Sequence, residues 1–448
     1  MIVSAAGVQR PGGYREVVVL ALPLVLSMLS RTLMVSIESA LLGRVSTVEQ
    51  GAVGLAGALL WPLLVACNFS GMGVQIAVAQ AHGAQQDLTC GALAWQGIYL
   101  SLLAWLPMLL AGLGSAWLVQ LSAPSPELLG PTTSYLRIAL LGGLPSLLNL
   151  SFIGFFRGLG DTRTPFLVTI GIVVLTTLLD VLLIFGVAGV PRLGIAGAAY
   201  ASVSATALGT ACYAWLFLRR GRRAGLLPRR RMPFEPALCW RLVRMSWPIG
   251  AQGVLELGAW TLFTVLVARL GVVEAAAHTI AIRVISLAYM AGYGIAVAVT
   301  TLVGHYLGAQ AVEAAWRSMR SALVLVCGLM GSMGLGFLLW RAALVAVYTQ
   351  EPAVAQIASP LLIFVALFQL CDGLTLVATG VLRGAGNTRW PMLIMLLLNW
   401  GVFVPLAALA MFVWPGGIMA GWAVALGSAM VISLVLGLRL LRGPWAPA

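Results

Sequence analysis

The sequence predicts an all-α polytopic membrane protein: twelve transmembrane helices in two six-helix bundles related by a parallel internal repeat. The first observation behind this is composition. Of 448 residues, 61% are hydrophobic and only 9% charged, with a mean hydropathy of +1.00. Soluble chains have about 45–50% apolar and about 25% charged residues. A soluble chain of this length lacks the charge to cover its surface, so its main solvent must be lipid. This excludes a cytoplasmic enzyme, a secreted disulfide scaffold and a disordered chain. The second observation is a series of long, uninterrupted apolar runs, which also excludes an outer-membrane barrel, whose short segments would alternate. The third is that the two halves repeat.

About 20 apolar residues cross a bilayer as a helix. Twelve runs qualify: 17–42, 52–80, 91–120, 132–156, 165–187, 194–218, 241–270, 278–304, 315–348, 354–382, 390–413 and 418–441. Span 1 follows Arg10 and Arg15 and has no small-residue cleavage site, so it is not read as a signal peptide. Spans 4 and 10 end at Arg157 and Arg383. Spans 5 and 11 open beside Pro165 and Pro391, as suits a first helical turn. Span 6 ends at Arg219. The stretch Arg219–Pro236 is the only long polar gap, and it divides the chain into 1–218, a basic linker 219–240, and 241–448.

All 26 basic residues are arginine, and net charge is +13. Such an excess can signal nucleic-acid binding, but most of these arginines lie in short gaps between apolar runs. Alternate gaps, taken with the N-terminus, collect Arg10, Arg15, Arg157, Arg163, Arg219, Arg220, Arg222, Arg223, Arg229, Arg230, Arg231, Arg241, Arg244, Arg317, Arg320, Arg383, Arg389, Arg439 and Arg442. The opposite gaps hold Arg44, Arg137, Arg192, Arg269, Arg283 and Arg341. That asymmetry puts both termini in the cytoplasm. The linker's basic cluster reads as an anchor on anionic headgroups. Cys67, Cys90, Cys212, Cys239, Cys327 and Cys371 are scattered, without metal-ligand spacing, and read as small core hydrophobes.

The repeat has three anchors. RGLGDTRTP at 157–165 recurs as RGAGNTRWP at 383–391. Gly83-Ala84-Gln85 recurs as Gly308-Ala309-Gln310, and Pro23 recurs as Pro248. Six spans per half start both halves on one side, so the repeat is parallel; transporters built this way hold substrate between their halves. Within the repeated loop, Gly158, Gly160, Gly384 and Gly386 permit tight turns, and Asp161 and Asn387 can cap the following helix.

Thirteen residues are acidic, and four of them lie inside apolar runs: Glu38, Asp180, Glu256 and Asp372. A charge there costs several kcal/mol unless paired, solvated or protonated, so these acids are functional candidates, with a structural ion pair or hydrogen bond as the competing reading. Arg31 lies seven residues before Glu38 on nearly the same helical face. Three readings are open for it: pairing with Glu38 or Asp180, binding an anionic substrate, or snorkelling to the interface. His278 and His305 read as interface residues near the ends of span 8.

Two six-span halves joined by a basic loop, with RGxGxTRxP after the fourth span of each, resemble the multidrug and toxic compound extrusion (MATE) family over essentially the whole chain. The resemblance implies a secondary antiporter that exports amphipathic, often cationic, drugs or metabolites in exchange for protons or sodium ions by alternating access. It implies no cofactor beyond the coupling ion. The expected partners are an amphipathic small molecule and membrane lipid, without nucleic acid, for a monomeric protein of the cytoplasmic membrane. Glu38, in Ile37-Glu38-Ser39-Ala40-Leu41-Leu42-Gly43, stands where the family carries an aspartate. Asp180 matches the family's acid in span 5, Thr176 stands where an asparagine is often found, and Ser202 matches a hydroxyl in span 6. Glu256 and Asp372 match acids that sodium-coupled members use as ligands, with Thr261, Thr264 and Thr375 within reach in sequence. Phe368 stands where that subgroup has a tyrosine.

Trp61, Trp260, Tyr289 and Tyr293 lie in spans expected to line the substrate path, where rings can hold flat apolar cations. Each can equally be a belt or packing residue. A lipid-linked oligosaccharide flippase is the alternative; it would need a strongly cationic cavity, for which Arg31 is the sole sign. The chain is not expected to be an enzyme, because it has no P-loop, HExxH or GxSxG motif.

Overall fold

The structure is a computed structural model that describes residues 11–443, apart from 68, 123–124, 188, 190, 228–231 and 415. Arg10, Arg229, Arg230 and Arg231, counted above in the charge asymmetry, lie outside the described residues. No β-strand occurs among the described residues. Among the described residues, eleven helices are long and apolar enough to cross a bilayer, and one bent pair makes a twelfth. Their outer faces expose large side chains such as Leu110 (69%) and Leu178 (63%). In water that surface would be an aggregation hazard; in lipid it is the solvated face. The protein is a multi-pass membrane protein.

The first six spans are α1 (Tyr14–Gly43), α2 (Thr47–Cys67) running on into α3 (Phe69–Gly83), α4 (Asp87–Leu113) with α5 (Ser115–Leu121), α6 (Pro126–Leu141) with α7 (Leu144–Gly158), α8 (Arg163–Phe185) and α9 (Ile195–Arg223). The second six are α10 (Pro236–Ala268), α11 (Val272–Gly308), α12 (Val312–Leu339) with α13 (Arg341–Tyr348), α14 (Pro352–Gly384), α15 (Arg389–Leu398) continuing into α16 (Val404–Ala408), and α17 (Gly417–Leu441).

Two spans depart from the straight helices expected. The span at 132–156 bends by 47° between α6 and α7. Gly142 and Gly143 sit at the bend, and Pro145, just beyond, has no N–H for the carbonyl of Leu141. The span at 390–413 contains two π-helical turns, Asn399–Phe403 and Leu409–Val413, flanking α16 with its Pro405. Extra residues per turn rotate the side chains that follow, and such turns gather at functional sites.

The repeat is visible in packing register. A Cβ on Gly158 would lie 2.9 Å from the Gln75 carbonyl oxygen, and one on Gly384 would lie 2.6 Å from that of Thr300. Gly154 likewise abuts the Gly71 carbonyl, and Gly380 that of Ala296. The α3–α7 and α11–α14 pairs therefore dock backbone to backbone in the same register, which only glycine permits. Gln85 and Gln310 both adopt φ 57°. In the repeated loops Gly160 and Gly386 have φ 79° and 85°. The Asp161 carboxylate caps α8, accepting from Thr164 N at 3.0 Å, while Asn387 Oδ1 accepts from Trp390 N at 3.4 Å.

The chain divides into two compact units. One holds Leu26–Gly250; the other holds the chain up to Val25 and from Ala251 on. The leading parts of α1 and α10 are thus exchanged. Val17, Leu20, Ala21 and Leu24 join the core that α11, α14 and α17 build, and Leu242 joins that of α3, α7 and α9. Matching residues anchor both leaders. Ser321 Oγ donates to the Gly12 carbonyl at 3.0 Å, and Gln96, at the equivalent place on α4, donates to the Pro233 carbonyl at 3.0 Å and accepts from Glu235 N at 3.1 Å.

Candidate functional site

In the Leu26–Gly250 unit, α1, α6 and α8 bring two of the intramembrane acids together. Glu38 is 6% exposed, and its Oε1 accepts from the Tyr135 hydroxyl at 2.9 Å. Asp180 is fully buried and interacts electrostatically with both Glu38 and Tyr135. Among the described residues, neither Asp180 carboxyl oxygen has a hydrogen-bond partner, nor has the hydroxyl of Thr176 one turn earlier on α8. A buried polar atom left in that state costs roughly 1–3 kcal/mol, more for a charge. A proton or a bound cation relieves the cost for a carboxylate. Tyr135 carried no signal in the sequence, being one tyrosine at the end of an apolar run. Ser202 is half-buried on α9, and no interaction among the described residues ties it to this trio.

The second unit holds a cavity of about 70 Å³ lined from α10, α11, α14, α15 and α17. Glu256, Asp372 and Arg383 face it together with Tyr289, Thr375 and Asn399. Glu256 interacts electrostatically with both Asp372 and Arg383. The Arg383 guanidinium donates to Gln252 Oε1 at 3.0 Å, and Asp372 Oδ2 has no hydrogen-bond partner among the described residues. A cavity of this size takes a few waters or an ion, since a single water needs about 10–15 Å³; a drug-sized molecule needs several hundred. Gln252 and Asn399 were not among the residues singled out. Asn399, the first residue of the π-helical turn Asn399–Phe403, lines the cavity.

Thr375 lines this cavity, whereas Thr261 and Thr264, expected near the same acids, bond elsewhere. Thr261 Oγ1 donates to Leu257 O at 2.8 Å, and Thr264 Oγ1 lies 2.9 Å from His278 Nε2. His278 itself is buried against Phe263 and Trp422 rather than at an interface. Its neighbours come from two other helices, α10 and α17, so sequence position alone could not reveal the burial. Phe368 lines the cavity with its edge against Trp260, ring centroids 5.7 Å apart, and offers no hydroxyl there. Of the four aromatic candidates, Trp260, Tyr289 and Tyr293 meet at the cavity, the two tyrosines stacked at 5.7 Å. Trp61 belongs to the other unit and is 57% exposed on α2.

Arg31 does not pair with Glu38 or Asp180. Among the described residues the side-chain ion pairs are His82–Asp87 and Arg220–Asp161. Arg31 is exposed, and Glu38 is satisfied by Tyr135 instead.

Comparison with known proteins agrees with this architecture. The MatE family profile matches residues 23–182 and 248–409, one match per half and starting 225 residues apart. A probable multidrug resistance protein NorM of Xylella fastidiosa is 31% identical over 433 residues, covering 95% of this chain and 89% of that protein. The multidrug resistance protein PmpM of Pseudomonas aeruginosa is 31% identical over 447 residues, covering 96% and 91%. A solved MOP superfamily transporter from Pyrococcus furiosus superposes with a TM-score of 0.88 at 19% identity, over 96% of this chain and 95% of that one. An outward-facing multidrug resistance MATE family transporter gives a TM-score of 0.87 at 18% identity, covering 96% and 95%. No oligosaccharide flippase stands among these relatives, and that alternative has no support. With the family profile matched in both halves and the repeat seen in sequence and packing alike, the chain belongs to the MatE family of multidrug and toxic compound extrusion transporters.

Proposed function

We propose that the protein is a secondary active antiporter that exports amphipathic, often cationic, drugs or metabolites in exchange for protons or sodium ions by alternating access. The observation that carries the antiport reading is the pair of buried acids Glu38 and Asp180, the latter with neither oxygen hydrogen-bonded. Such a group is comfortable only when protonated or occupied by a cation, so loading and unloading it is coupled to its surroundings. Glu256, Asp372 and the ion-sized cavity they face are a second place for the coupling ion, where Arg383 already supplies one positive charge. The names of the relatives support multidrug substrates. Trp260, Tyr289 and Tyr293 line this ion-sized cavity, so their rings hold a flat apolar cation only in a state of the transport cycle in which it is wider. No cofactor is needed beyond the ion. The arginine asymmetry supports both termini on the cytoplasmic side of the membrane.

The test uses purified protein in liposomes with an imposed proton or sodium gradient. Asp180→Asn keeps shape but removes the titratable, cation-holding charge. Gradient-driven efflux should vanish while the variant inserts and melts like wild type. Wild-type efflux by Asp180→Asn makes Asp180 a structural residue and removes the first-unit coupling site.

A further inference from the structure

Arg383 stands apart from the two acids whose cavity it shares. It lies on α14 eleven residues after Asp372, about 16 Å along the helix axis and on nearly the same face. Its side chain leans back toward the start of the helix, and it lines the same cavity of about 70 Å³ as Glu256 and Asp372. The guanidinium donates there to Gln252 Oε1 at 3.0 Å. No carboxylate among the described residues lies within 4.0 Å of it. Arg383 Nε and Asp372 Oδ2 have no hydrogen-bond partner among the described residues. A cationic donor and an anionic acceptor are therefore held apart at one small cavity.

Gln252 is what holds them apart. It is 3% exposed and sits on α10 one turn before Glu256. Side chains four residues apart on a helix have Cβ atoms about 5–6 Å from each other. The guanidinium is thus one helical turn away from a carboxylate that faces the same cavity. An amide oxygen accepts from a guanidinium without neutralising it, and it holds less strongly than a bidentate carboxylate does. Were the guanidinium on Glu256 instead, the acid would be closed, and a cation would have to displace an arginine to enter.

We infer that Gln252 is a positioning residue for the ion cavity: by holding Arg383 off Glu256 it keeps Glu256 and Asp372 open to the coupling ion. Arg383 is then a tethered cation that replaces the ion at Glu256 when the ion leaves. This spares the membrane interior an uncompensated carboxylate, which costs several kcal/mol. The inference deepens the antiport reading of this cavity and rests on it. The titratable groups lining the cavity are Glu256 from α10, Tyr289 and Tyr293 from α11, and Asp372 and Arg383 from α14; α15 and α17 contribute none.

The test measures ethidium efflux by the full-length protein in liposomes, once with a proton gradient in sodium-free buffer and once with a sodium gradient at equal pH. The concentration of the driving ion that gives half-maximal rate is the readout. Gln252→Met keeps length and burial but removes the acceptor. It should raise that concentration about tenfold, the worth of one hydrogen bond to a charged group, with a much smaller change in maximal rate. Gln252→Glu, which returns an acceptor for Arg383, should not show the rise. Arg383→Gln should lower the half-maximal concentration, and adding Gln252→Met to it should change nothing further, because there is no arginine left to release. A Gln252→Met variant that loses maximal rate and melting temperature but keeps the wild-type ion dependence makes Gln252 a packing residue and overturns the inference. A rise as large in Gln252→Glu, or in the Arg383→Gln background, overturns it too. Wild type that moves ethidium under neither gradient sinks the antiport reading and this inference together; a driven wild type with an unshifted Gln252→Met sinks the inference alone.

Discussion

Gly384 is where a single methyl group should do most damage for its size. It lies at the end of α14, next to Arg383, with its α-carbon against the backbone of α11. A Cβ there would meet the Thr300 carbonyl oxygen at 2.6 Å, Val303 Cβ at 3.1 Å and Gly304 N at 3.3 Å. The first contact falls about 0.8 Å short of ordinary van der Waals approach. Its partner is backbone, which no rotamer change can remove, so α11 and α14 must separate. Overpacking of this kind costs about 1–3 kcal/mol. Alanine returns up to about 1 kcal/mol in helix propensity, leaving Gly384→Ala destabilised by up to about 2 kcal/mol. Gly328, inside α12, is the control: a Cβ there meets nothing within 4 Å. Gly328→Ala should gain up to about 1 kcal/mol. Thermal melting of both variants in one detergent measures the contrast. Because α11 and α14 carry Tyr289, Tyr293, Asp372 and Arg383, Gly384→Ala should also lower efflux, whereas Gly328→Ala should not. If the two variants melt together, or Gly384→Ala melts higher, the backbone-to-backbone account of the repeat is wrong.

The two repeated caps should differ in worth. Asp161 accepts from Thr164 N at 3.0 Å, Thr164 Oγ1 at 2.6 Å and Arg220 at 3.2 Å, so Asp161→Ala should cost about 1–2 kcal/mol in a melt. Asn387 makes one long bond of 3.4 Å, and Asn387→Ala should cost no more than about 0.5 kcal/mol; equal losses would show that the cap bonds do not decide. In liposomes, Glu256→Gln and Asp372→Asn should each abolish any sodium stimulation of efflux. Sodium stimulation that survives both substitutions would place the sodium site outside the Glu256–Asp372 cavity.

What could be read from the chain tracks how local each property is. Pro145 and Pro405 were visible as letters, but whether a proline bends a span or coincides with π-helical turns depends on what re-bonds the freed carbonyls. The four acids were legible because charge in an apolar run is costly wherever the run packs. Their partners were not. Tyr135 lies 97 residues from Glu38, and Gln252 lies 131 from Arg383, and neither separation leaves a trace in composition or periodicity. Pairing Arg31 with an acid was reasonable along one helix, yet Tyr135 met Glu38 instead.

The sequence by itself determined the class of solvent, the number and order of the spans, the parallel repeat and the positions of the buried charges. These follow from hydropathy and spacing, since lipid forces every backbone group into a helix. Only the tertiary structure decided which acids share a site, that the leading parts of α1 and α10 trade units, that Asn399 lines a cavity, and that Arg31 pairs with no carboxylate among the described residues. Each of those depends on which faces of distant helices meet, and that is settled by side-chain packing across the fold rather than by the run of residues within any one span.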